Sequence, residues 1–321
     1  MIPEINFRLF LSIDMVENFG TGDRLIRATA VDGGIKAVAV TTTNLTAEAG
    51  RRHKMSALTT KALGQTMTAA LLLASGMKQP QARVSIRLNG DGKLGLIFAD
   101  AGFDGTVRGY VDNPSLELPL SNPNSLDLGS ALGTNGFIQV IRDVGYGTPY
   151  SGNVELVSSE ISENITYYLV SSEQIPSALL TGVLTDDNGV DVAGGLLLQI
   201  MPQARRDYNL LELLDSRVKS LSEFTALLKQ GMTLRQIIEN LLGDLGLNII
   251  PEEQPVKFKC RCTFDRVLGA LRMFGEAELR EMINEDQGAE ATCQFCSEIY
   301  RADRFDLEKI ILNLQESAKS S

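Results

Sequence analysis

The sequence has few of the residues on which several classes of enzyme depend. It contains one histidine, His53, among its 321 residues. A catalytic triad that uses histidine would require His53, and the neighbouring Arg51, Arg52 and Lys54 give no sign of a nucleophile. We therefore expect His53 to have a structural role and expect the protein not to be an enzyme.

An excess of basic residues is also absent. The chain has 30 Lys and Arg against 40 Asp and Glu, and its formal net charge is -10. Binding to nucleic acid would need a local basic patch, but the basic residues are dispersed apart from short clusters at 51–54 and 257–261. Short clusters of this kind are typical of a solvated surface. The composition therefore argues against a nucleic-acid partner.

Signals for export or membrane insertion are missing as well. The segment Met1–Asn6 has an acid and polar residues where a signal peptide has a basic segment followed by an apolar run. The longest apolar stretch, residues 66–77, is too short to span a bilayer and lies between Lys61 and Lys78. We expect a cytoplasmic protein without a membrane partner, in a compartment that keeps thiols reduced.

The few cysteines are concentrated near the end of the chain. Cys260 and Cys262 form a C-x-C pair, and Cys293 and Cys296 form a C-x-x-C pair after thirty intervening residues. Two close pairs can supply the four thiolates of a tetrahedral zinc site, one pair from each of two tight turns. Such a site has no open position for substrate, so its ordinary role is structural.

Other interpretations of the cysteines stay open at this point. A thioredoxin-like site would use only the C-x-x-C pair, and an iron-sulfur cluster would normally include a closely spaced triplet. Two functional alternatives follow from the residues alone. One is a nucleic-acid-binding protein that zinc stabilises, and the other is a thiol-disulfide oxidoreductase that uses Cys293 and Cys296.

The hydrophobic pattern predicts an α+β fold with antiparallel sheets over residues 1–202. Alternating apolar residues indicate strands, and apolar residues three and four apart indicate helices. Glycine-rich turns mark the hairpins. The predicted elements are a hairpin over 25–43 with its turn at 32–34, a helix over 56–75, a hairpin turning at 89–92, a loop over 129–136 that leads into a strand, a helix over 162–172, and strands over 179–185 and 189–201.

Two further units are predicted after Pro202. Residues 203–254 show one or two amphipathic helices up to Leu228 and another that begins at Thr233, where Gln236 can complete a capping box. Their apolar stripes must pack on another surface, which we expect to be the first domain. Residues 255–321 form a small unit with a short strand before the first cysteine pair and two short helices separated at Gly275. Its core is small, so we expect bound zinc to supply stability that the core does not.

An all-thiolate site of this kind is also sensitive to oxidation. Zinc keeps the sulfurs deprotonated, and oxidants convert thiolates to disulfides and remove the metal ligands. Zinc contributes on the order of 10–16 kcal/mol to the folding of small zinc units, which is far more than a small core supplies. We therefore expect the 255–321 unit to unfold on oxidation, and the helices docked on it to loosen.

Three stretches of the sequence resemble the redox-regulated chaperones of the heat shock protein 33 family. The C-x-C and C-x-x-C pairs are preceded by Val-Lys-Phe-Lys at 256–259, as in that family. The segments Ser-Glu-Gln-Ile-Pro at 172–176 and Ala-Gly-Gly-Leu-Leu-Leu-Gln-Ile-Met-Pro at 193–202 are similar to family segments in the same order. Ser297 replaces the glycine expected after the last cysteine, and the tail to Ser321 is longer than expected.

The resemblance implies an ATP-independent holdase that is inactive while reduced and bound to one zinc ion. The implied ligands are Cys260, Cys262, Cys293 and Cys296. Oxidative stress would form the disulfides Cys260–Cys262 and Cys293–Cys296, release zinc and unfold a metastable linker at 203–254. The exposed surface would then bind unfolding client proteins, and the activated protein would be a homodimer.

Overall fold

The computed structural model describes residues 22–118, 128–205, 207–221 and 224–319. The expectation for Met1–Asn6 lies outside the described residues. The strands in chain order are β1 (Arg24–Ala30), β2 (Ile35–Thr41), β3 (Arg83–Gly90), β4 (Leu96–Gly102), β5 (Thr106–Val111), β6 (Gly136–Asp143), β7 (Tyr150–Glu155), β8 (Ser177–Asp186), β9 (Gly189–Ile200), β10 (Asn248–Ile249), β11 (Gln254–Pro255), β12 (Lys257–Phe258), β13 (Gly288–Thr292) and β14 (Ile299–Asp303). The helices are α1 (Thr43–His53), α2 (Ala57–Ala74), α3 (Leu128–Leu132), α4 (Ile161–Ser171), α5 (Tyr208–Ser220), α6 (Phe224–Lys229), α7 (Leu234–Leu242), α8 (Phe264–Leu271), α9 (Glu276–Asp286) and α10 (Arg304–Lys319).

Two six-stranded sheets and one two-stranded hairpin organise the described chain. The first sheet has the order β10-β1-β2-β9-β8, with β11 also paired to β1, and the second has the order β12-β5-β4-β3-β6-β7. All neighbours in these sheets are antiparallel except β12 and β5, which are parallel. The predicted α+β class with antiparallel sheets is therefore confirmed.

Both predicted hairpins are present. β1 and β2 pair around a turn in which Val31, Asp32 and Gly33 have φ values of 51°, 48° and 83°. Consecutive positive φ angles twist a short turn in the sense that suits two antiparallel strands. β3 and β4 pair in the second hairpin, with Leu88 opposite Ile97. Local turn chemistry predicted both pairings, but the second connection covers residues 91–95 instead of 89–92, because Asn89 and Gly90 continue β3.

Helix α2 forms the centre of the main core. It packs against β4 and β5 of the second sheet and against β8 and β9 of the first. Its side chains from Ala62 to Ala74 are buried on every face, whereas the sequence predicted a single buried stripe. A helix that is apolar all round is typical of a layer enclosed on both sides. The hydroxyl of Ser56 caps its first turn by accepting a hydrogen bond from the backbone N–H of Thr59.

Two short helices differ from the expected pattern. α1 was not predicted, because only Leu45, Thr46 and Ala49 of its eleven residues are buried and its apolar pattern is weak. The loop expected over 129–136 includes most of α3, which ends before Gly133 at a φ of 82°. The following strand, β6, is present as predicted.

The helices after Pro202 cover one face of the first sheet. α5, α6 and α7 bury Leu210, Phe224, Ile237 and Ile238 against the strands β1, β2 and β9. The expectation that their apolar stripes pack on the preceding sheet is confirmed by this cluster. The capping box at the start of α7 is also confirmed, since Thr233 and Gln236 exchange side-chain and backbone hydrogen bonds.

Three very short strands then join this region to both sheets. β10 and β11 pair with β1, and β12 pairs with β5. Val256, between β11 and β12, is 4% exposed and belongs to the main core. The strand expected before the first cysteine pair is therefore present, and it is anchored to the second sheet.

The C-terminal part has its own small core. The expected pair of helices is present as α8 and α9, and the chain continues through the β13–β14 hairpin into α10. The buried apolar residues of this part are Leu271, Leu279, Ile283, Ala302, Leu307, Ile310 and Ile311. This core is much smaller than the clusters around the two sheets.

Candidate metal centre

Two turns present the four cysteines. Cys260 and Cys262 follow β12 after one intervening residue, so the pairing of β12 with β5 fixes the position at which this turn begins. Cys293 and Cys296 lie in the turn between β13 and β14, where the backbone N–H groups of Cys296 and Ser297 both donate to the carbonyl of Cys293. Donors that fold back on the first cysteine in this way bring the two sulfurs of a C-x-x-C pair together.

The four sulfurs converge on one point. Every pair of Sγ atoms lies within 4.8 Å. The Sγ atoms of Cys260 and Cys293 are 3.7 Å apart, and those of Cys262 and Cys296 are 3.4 Å apart. Four sulfurs at about 2.3 Å from a zinc ion would lie about 3.8 Å from one another. The observed separations are too long for disulfide bonds and fit a tetrahedral thiolate site, so these residues are positioned to bind a metal ion.

Hydrogen bonds from outside the pairs reach two of the sulfurs. The hydroxyl of Tyr300, on β14, lies 3.2 Å from Sγ of Cys262. The guanidinium of Arg108, on β5, lies 3.7 Å from Sγ of Cys260. Donors to sulfur stabilise the thiolate over the thiol, and outer partners of this kind orient metal ligands.

The thiols differ in their ease of ionisation before any metal is considered. Burial raises the pKa of Cys260, but hydrogen bonds from the backbone of Cys262 and from Arg108 outweigh burial and bring this pKa down to about 7. Burial raises the pKa of Cys293 and of Cys296. A positive ion among the sulfurs would favour the thiolate at every position.

The C-x-x-C turn is docked on the second sheet through Phe295. Its ring meets Phe98 and Tyr110 edge to face, with centroids 5.6 and 5.4 Å apart. The guanidinium carbon of Arg108 lies 4.1 Å from the centroid of the Phe295 ring. Arg108 therefore contacts one cysteine directly and the turn that contains two others.

His53 joins the same turn to the end of α1. Its Nε2 lies 3.2 Å from the carbonyl oxygen of Phe295, and its Nδ1 lies 2.9 Å from the hydroxyl of Ser297. A carbonyl only accepts, so Nε2 donates to Phe295 and Nδ1 accepts from the Ser297 hydroxyl. Burial lowers the pKa of His53, which favours this neutral form. The structural role expected for His53 agrees with these contacts.

Ser297 departs from the glycine expected at its position and takes a glycine-like conformation. Its φ is 57°, in the left-handed region. That conformation costs an ordinary residue about 1–2 kcal/mol. The hydrogen bond between its hydroxyl and His53 offsets part of this cost, since a net contribution of about 1 kcal/mol is typical.

A buried ion network holds Arg108 in place. Asp100, on β4, accepts hydrogen bonds at 2.9 Å from Nε of Arg83 and at 2.9 Å from Nε of Arg108. The side chain of Asp100 is 6% exposed. The network links three adjacent strands and fixes the guanidinium that faces the sulfurs.

The Phe295 contacts predict a measurable coupling between the turn and the sheet. Phe295→Ala is expected to lower the free energy of unfolding of the C-terminal part by about 2 kcal/mol, because two aromatic pairs and one cation–π contact are lost. Hydrogen exchange of the β13–β14 amides measures this change. Phe305→Ala is the matched control, since Phe305 is 72% exposed. Equal exchange rates in the two variants would contradict the coupling.

Sequence reasoning missed most of these supporting residues. Phe295 lies between Cys293 and Cys296, so its place in the sequence indicates that its side chain is close to the metal centre. Arg108, Tyr300 and Asp100 have no local signal, because their roles depend on pairing between distant segments. The cluster at 51–54 was expected to be a solvated surface, but Arg52 and His53 are partly buried, and Arg52 lies 3.5 Å from Glu298.

Two further observations concern the thioredoxin-like interpretation of the cysteines and the expectation of no membrane partner. The C-x-x-C pair lies between antiparallel strands, whereas a thioredoxin-like pair would begin a helix after a strand. Within the part of the chain that the structure describes, no helix is both long and apolar enough to cross a membrane.

The fold and the cysteine site together define an α+β protein with two antiparallel sheets and a C-terminal four-thiol centre. The family model described as Hsp33 protein matches residues 23–303. The chain belongs to the Hsp33 family.

Individual relatives agree with this assignment. The chain is 57% identical over 296 residues to a 33 kDa chaperonin of Cyanothece sp., covering 92% of this chain and 99% of the relative. It is 58% identical over 293 residues to a 33 kDa chaperonin of Synechocystis sp., covering 91% and 97%. The crystal structure of the 33 kDa chaperonin (heat shock protein 33 homolog) of Thermotoga maritima superposes with a TM-score of 0.85 at 30% identity, covering 92% of this chain and 99% of that chain. The name chaperonin designates a function other than catalysis.

Proposed function

We propose that this protein is a redox-regulated, ATP-independent chaperone that binds unfolding proteins and prevents their aggregation. The observation that carries the proposal is the convergence of all four cysteine sulfurs within 4.8 Å of one another. The names of the relatives support the chaperone activity. The regulation follows from the chemistry of the thiols and from the elements attached to them.

Cys260, Cys262, Cys293 and Cys296 would hold one zinc ion in the reduced protein. Bound zinc supplies a positive charge that keeps four thiolates together. Arg108 and Tyr300 donate to the sulfurs and orient them. The protein in this state is inactive, because its apolar surfaces are covered.

Oxidation converts the thiolates to the disulfides Cys260–Cys262 and Cys293–Cys296. Each disulfide forms as two thiolates lose two electrons to hydrogen peroxide, which is reduced to two hydroxide ions. Oxidation removes the ligands and so releases zinc. Each disulfide closes a very small loop, so it restores little of the lost stability through chain entropy.

The C-terminal part depends on its metal for stability. Seven buried apolar residues form its core. Zinc binding contributes on the order of 10–16 kcal/mol in small zinc units. Loss of this contribution exceeds what the remaining core can supply, so the oxidised unit unfolds.

We infer three units with boundaries at 1–202, 203–254 and 255–321. Unfolding of the last unit would release β12, which is separated from Cys260 by one residue and pairs with β5 of the first unit. β10 lies at the end of the second unit, β11 crosses from the second unit into the third, and each pairs with β1 through two residue pairs. Such short pairings separate easily, and their release frees the end of α7.

Release of the helices would expose the apolar face of the first sheet. That face includes Ile26, Ala28, Ile35 and Ala37, which α7 and its neighbours cover in the reduced state. A large exposed apolar surface binds other apolar segments. The partners would be unfolded or oxidatively damaged client proteins, and the activated chaperone would be a homodimer. A reducing cytoplasm is the compartment in which such a switch is useful.

The helix contacts predict that weakened packing lowers the threshold for activation. Ile238 is fully buried between α7 and the sheet, so Ile238→Val is expected to cost about 1 kcal/mol and to raise the open population about fivefold. Aggregation of a denatured client is then suppressed at a lower peroxide concentration than in the parent protein. Ile299→Val is the matched control, because Ile299 is 47% exposed. A threshold that does not differ between the two variants would contradict the role given to α7.

The direct test compares reduced and oxidised protein. The reduced protein should contain one zinc ion and fail to suppress aggregation, and peroxide at mild heat, or hypochlorite, should produce suppression. Salt-dependent binding to RNA or DNA would favour a nucleic-acid-binding protein instead. Turnover of a disulfide substrate that survives loss of Cys260 and Cys262 would favour an oxidoreductase.

A further inference from the structure

A cavity with a volume of about 360 Å³ lies away from the cysteines. It is beside the end of α2 and the start of the segment that follows β9. Its wall includes three cationic side chains, Lys36 on β2, Arg142 on β6 and Arg205. Among the described residues that form the wall, Glu173 is the one carboxylate. A concentration of positive charge in a cavity is unusual for a protein with a formal net charge of -10.

The negative charge of Glu173 is paired with Arg142. Arg142 forms a two-pronged ion pair with it, with Nε to Oε1 at 2.7 Å and Nη2 to Oε2 at 3.0 Å. The hydroxyl of Tyr168 also donates to Glu173 at 2.9 Å. This pair is largely buried and neutral as a whole, so Glu173 does not neutralise Lys36 or Arg205.

Lys36 and Arg205 have no carboxylate partner among the residues that the structure describes. Nε of Arg205 is buried and makes no hydrogen bond there. A buried donor without an acceptor costs about 1–3 kcal/mol, and more when the group is charged. Arg205 is part of the cavity wall, so a ligand in the cavity can supply the hydrogen-bond acceptor that Nε lacks.

Lys36 is largely buried and lies among other positive charges. Burial is the main cause that lowers the pKa of Lys36, and the charges of Arg27 and Arg142 lower it further. Gly76 leaves room for the ammonium, since a Cβ there would meet Nζ at 3.3 Å. The C-terminal end of α2 lies nearby, but a helix terminus offsets only about half an elementary charge. Half an elementary charge is less than the two positive charges of Lys36 and Arg205, which have no carboxylate partner among the described residues.

We propose that this cavity binds a small organic phosphate, with the phosphoryl group between Lys36 and Arg205. A phosphate dianion matches two unpaired cations, and a guanidinium can donate to two of its oxygens at once. The cavity has more space than an inorganic phosphate fills, and Leu73, Ile175 and Leu197 give part of its wall an apolar character. An apolar group attached to the phosphate would occupy that part.

The position of Arg205 gives the site a structural consequence. Arg205 lies four residues after Met201 and shortly before α5. The backbone N–H of Met201 donates to the carbonyl of Gly34, in the turn before β2. A ligand that bridges Lys36 and Arg205 would hold the start of the 203–254 segment on the sheet. Binding would therefore raise the thermal stability of the reduced protein, by an amount that increases with the logarithm of ligand concentration once the site is mostly filled.

Calorimetric titration of the reduced, zinc-loaded full chain at fixed ionic strength tests the proposal. Phenyl phosphate is the main probe, inorganic phosphate tests the contribution of the apolar group, and benzoate tests a carboxylate in place of the phosphate. We expect phenyl phosphate to bind at least tenfold more tightly than either. Lys36→Met and Arg205→Gln should each weaken its binding at least tenfold, and Lys93→Met, at an exposed lysine elsewhere, should leave it unchanged.

Circular dichroism and zinc content establish that each variant is folded. Absence of phenyl phosphate binding to the parent protein would overturn the proposal. Binding that survives both cavity substitutions would also overturn it, because the ligand would then lie elsewhere. Tighter binding of benzoate than of phenyl phosphate would reject the phosphate class.

Discussion

Replacing Cys296 with serine is expected to unfold the C-terminal part of the reduced protein and to leave the two sheets folded. Cys296 is the most deeply buried of the four cysteines, at 3% exposed, and its Sγ lies 3.4 Å from that of Cys262. A hydroxyl is a poor zinc ligand, so the affinity for zinc should fall by more than the factor of about 100 that loss of an outer partner can cause. The core of seven buried apolar residues then lacks most of the free energy that keeps it folded.

Zinc content under competition with a chelator measures the first effect, and limited proteolysis across residues 255–319 measures the second. Gln294→Ala is the control, because Gln294 is exposed and lies between two ligands of the same turn. The control should keep one zinc ion and resist the protease. A Cys296→Ser protein that retains zinc as tightly as the control would show that this cysteine is not a ligand.

Replacing Asp100 with alanine is expected to destabilise the sheet domain by about 3–5 kcal/mol. Asp100 is the shared acceptor of Arg83 and Arg108, and the Arg83 side chain is only 10% exposed. Removal of one partner leaves buried positive charge without compensation, which accounts for a cost of this size. Urea unfolding followed by circular dichroism measures the change in the free energy of unfolding.

The same substitution should also disturb the metal centre. Without Asp100, Arg108 loses the ion pair that fixes it against Cys260 and Phe295, so zinc should transfer faster to a chelator. Asp215→Ala is the control, because Asp215 pairs with Lys219 on an exposed helix face and such pairs contribute at most about 1 kcal/mol. A loss of stability no larger than in this control would contradict the network as described.

The elements that the sequence predicted are those with strong local signals. The turn at Val31–Gly34, the capping box at Thr233 and Gln236, and the alternation in β3 and β4 all act within a few residues. Each was found where it was expected. α1 was missed because its few buried residues give no apolar stripe.

The parts that the sequence did not predict depend on distant pairings. β10 and β11 are two-residue strands whose partner, β1, lies more than 200 residues earlier in the chain, so they have no hydrophobic period of their own. The cysteines were found because ligand spacing is local. Arg108 was not, since it reaches Cys260 only after β12 has paired with β5.

The central claim is that oxidation of four thiols, release of zinc and chaperone activity are one event. It is tested most directly by measuring all three on a single sample during treatment with peroxide at mild heat. We expect free thiols to fall from four to zero per chain, one zinc ion to be released, and suppression of client aggregation to rise along the same time course. Complete loss of thiols and zinc without any suppression of aggregation would contradict it, as would full suppression by the reduced, zinc-bound protein.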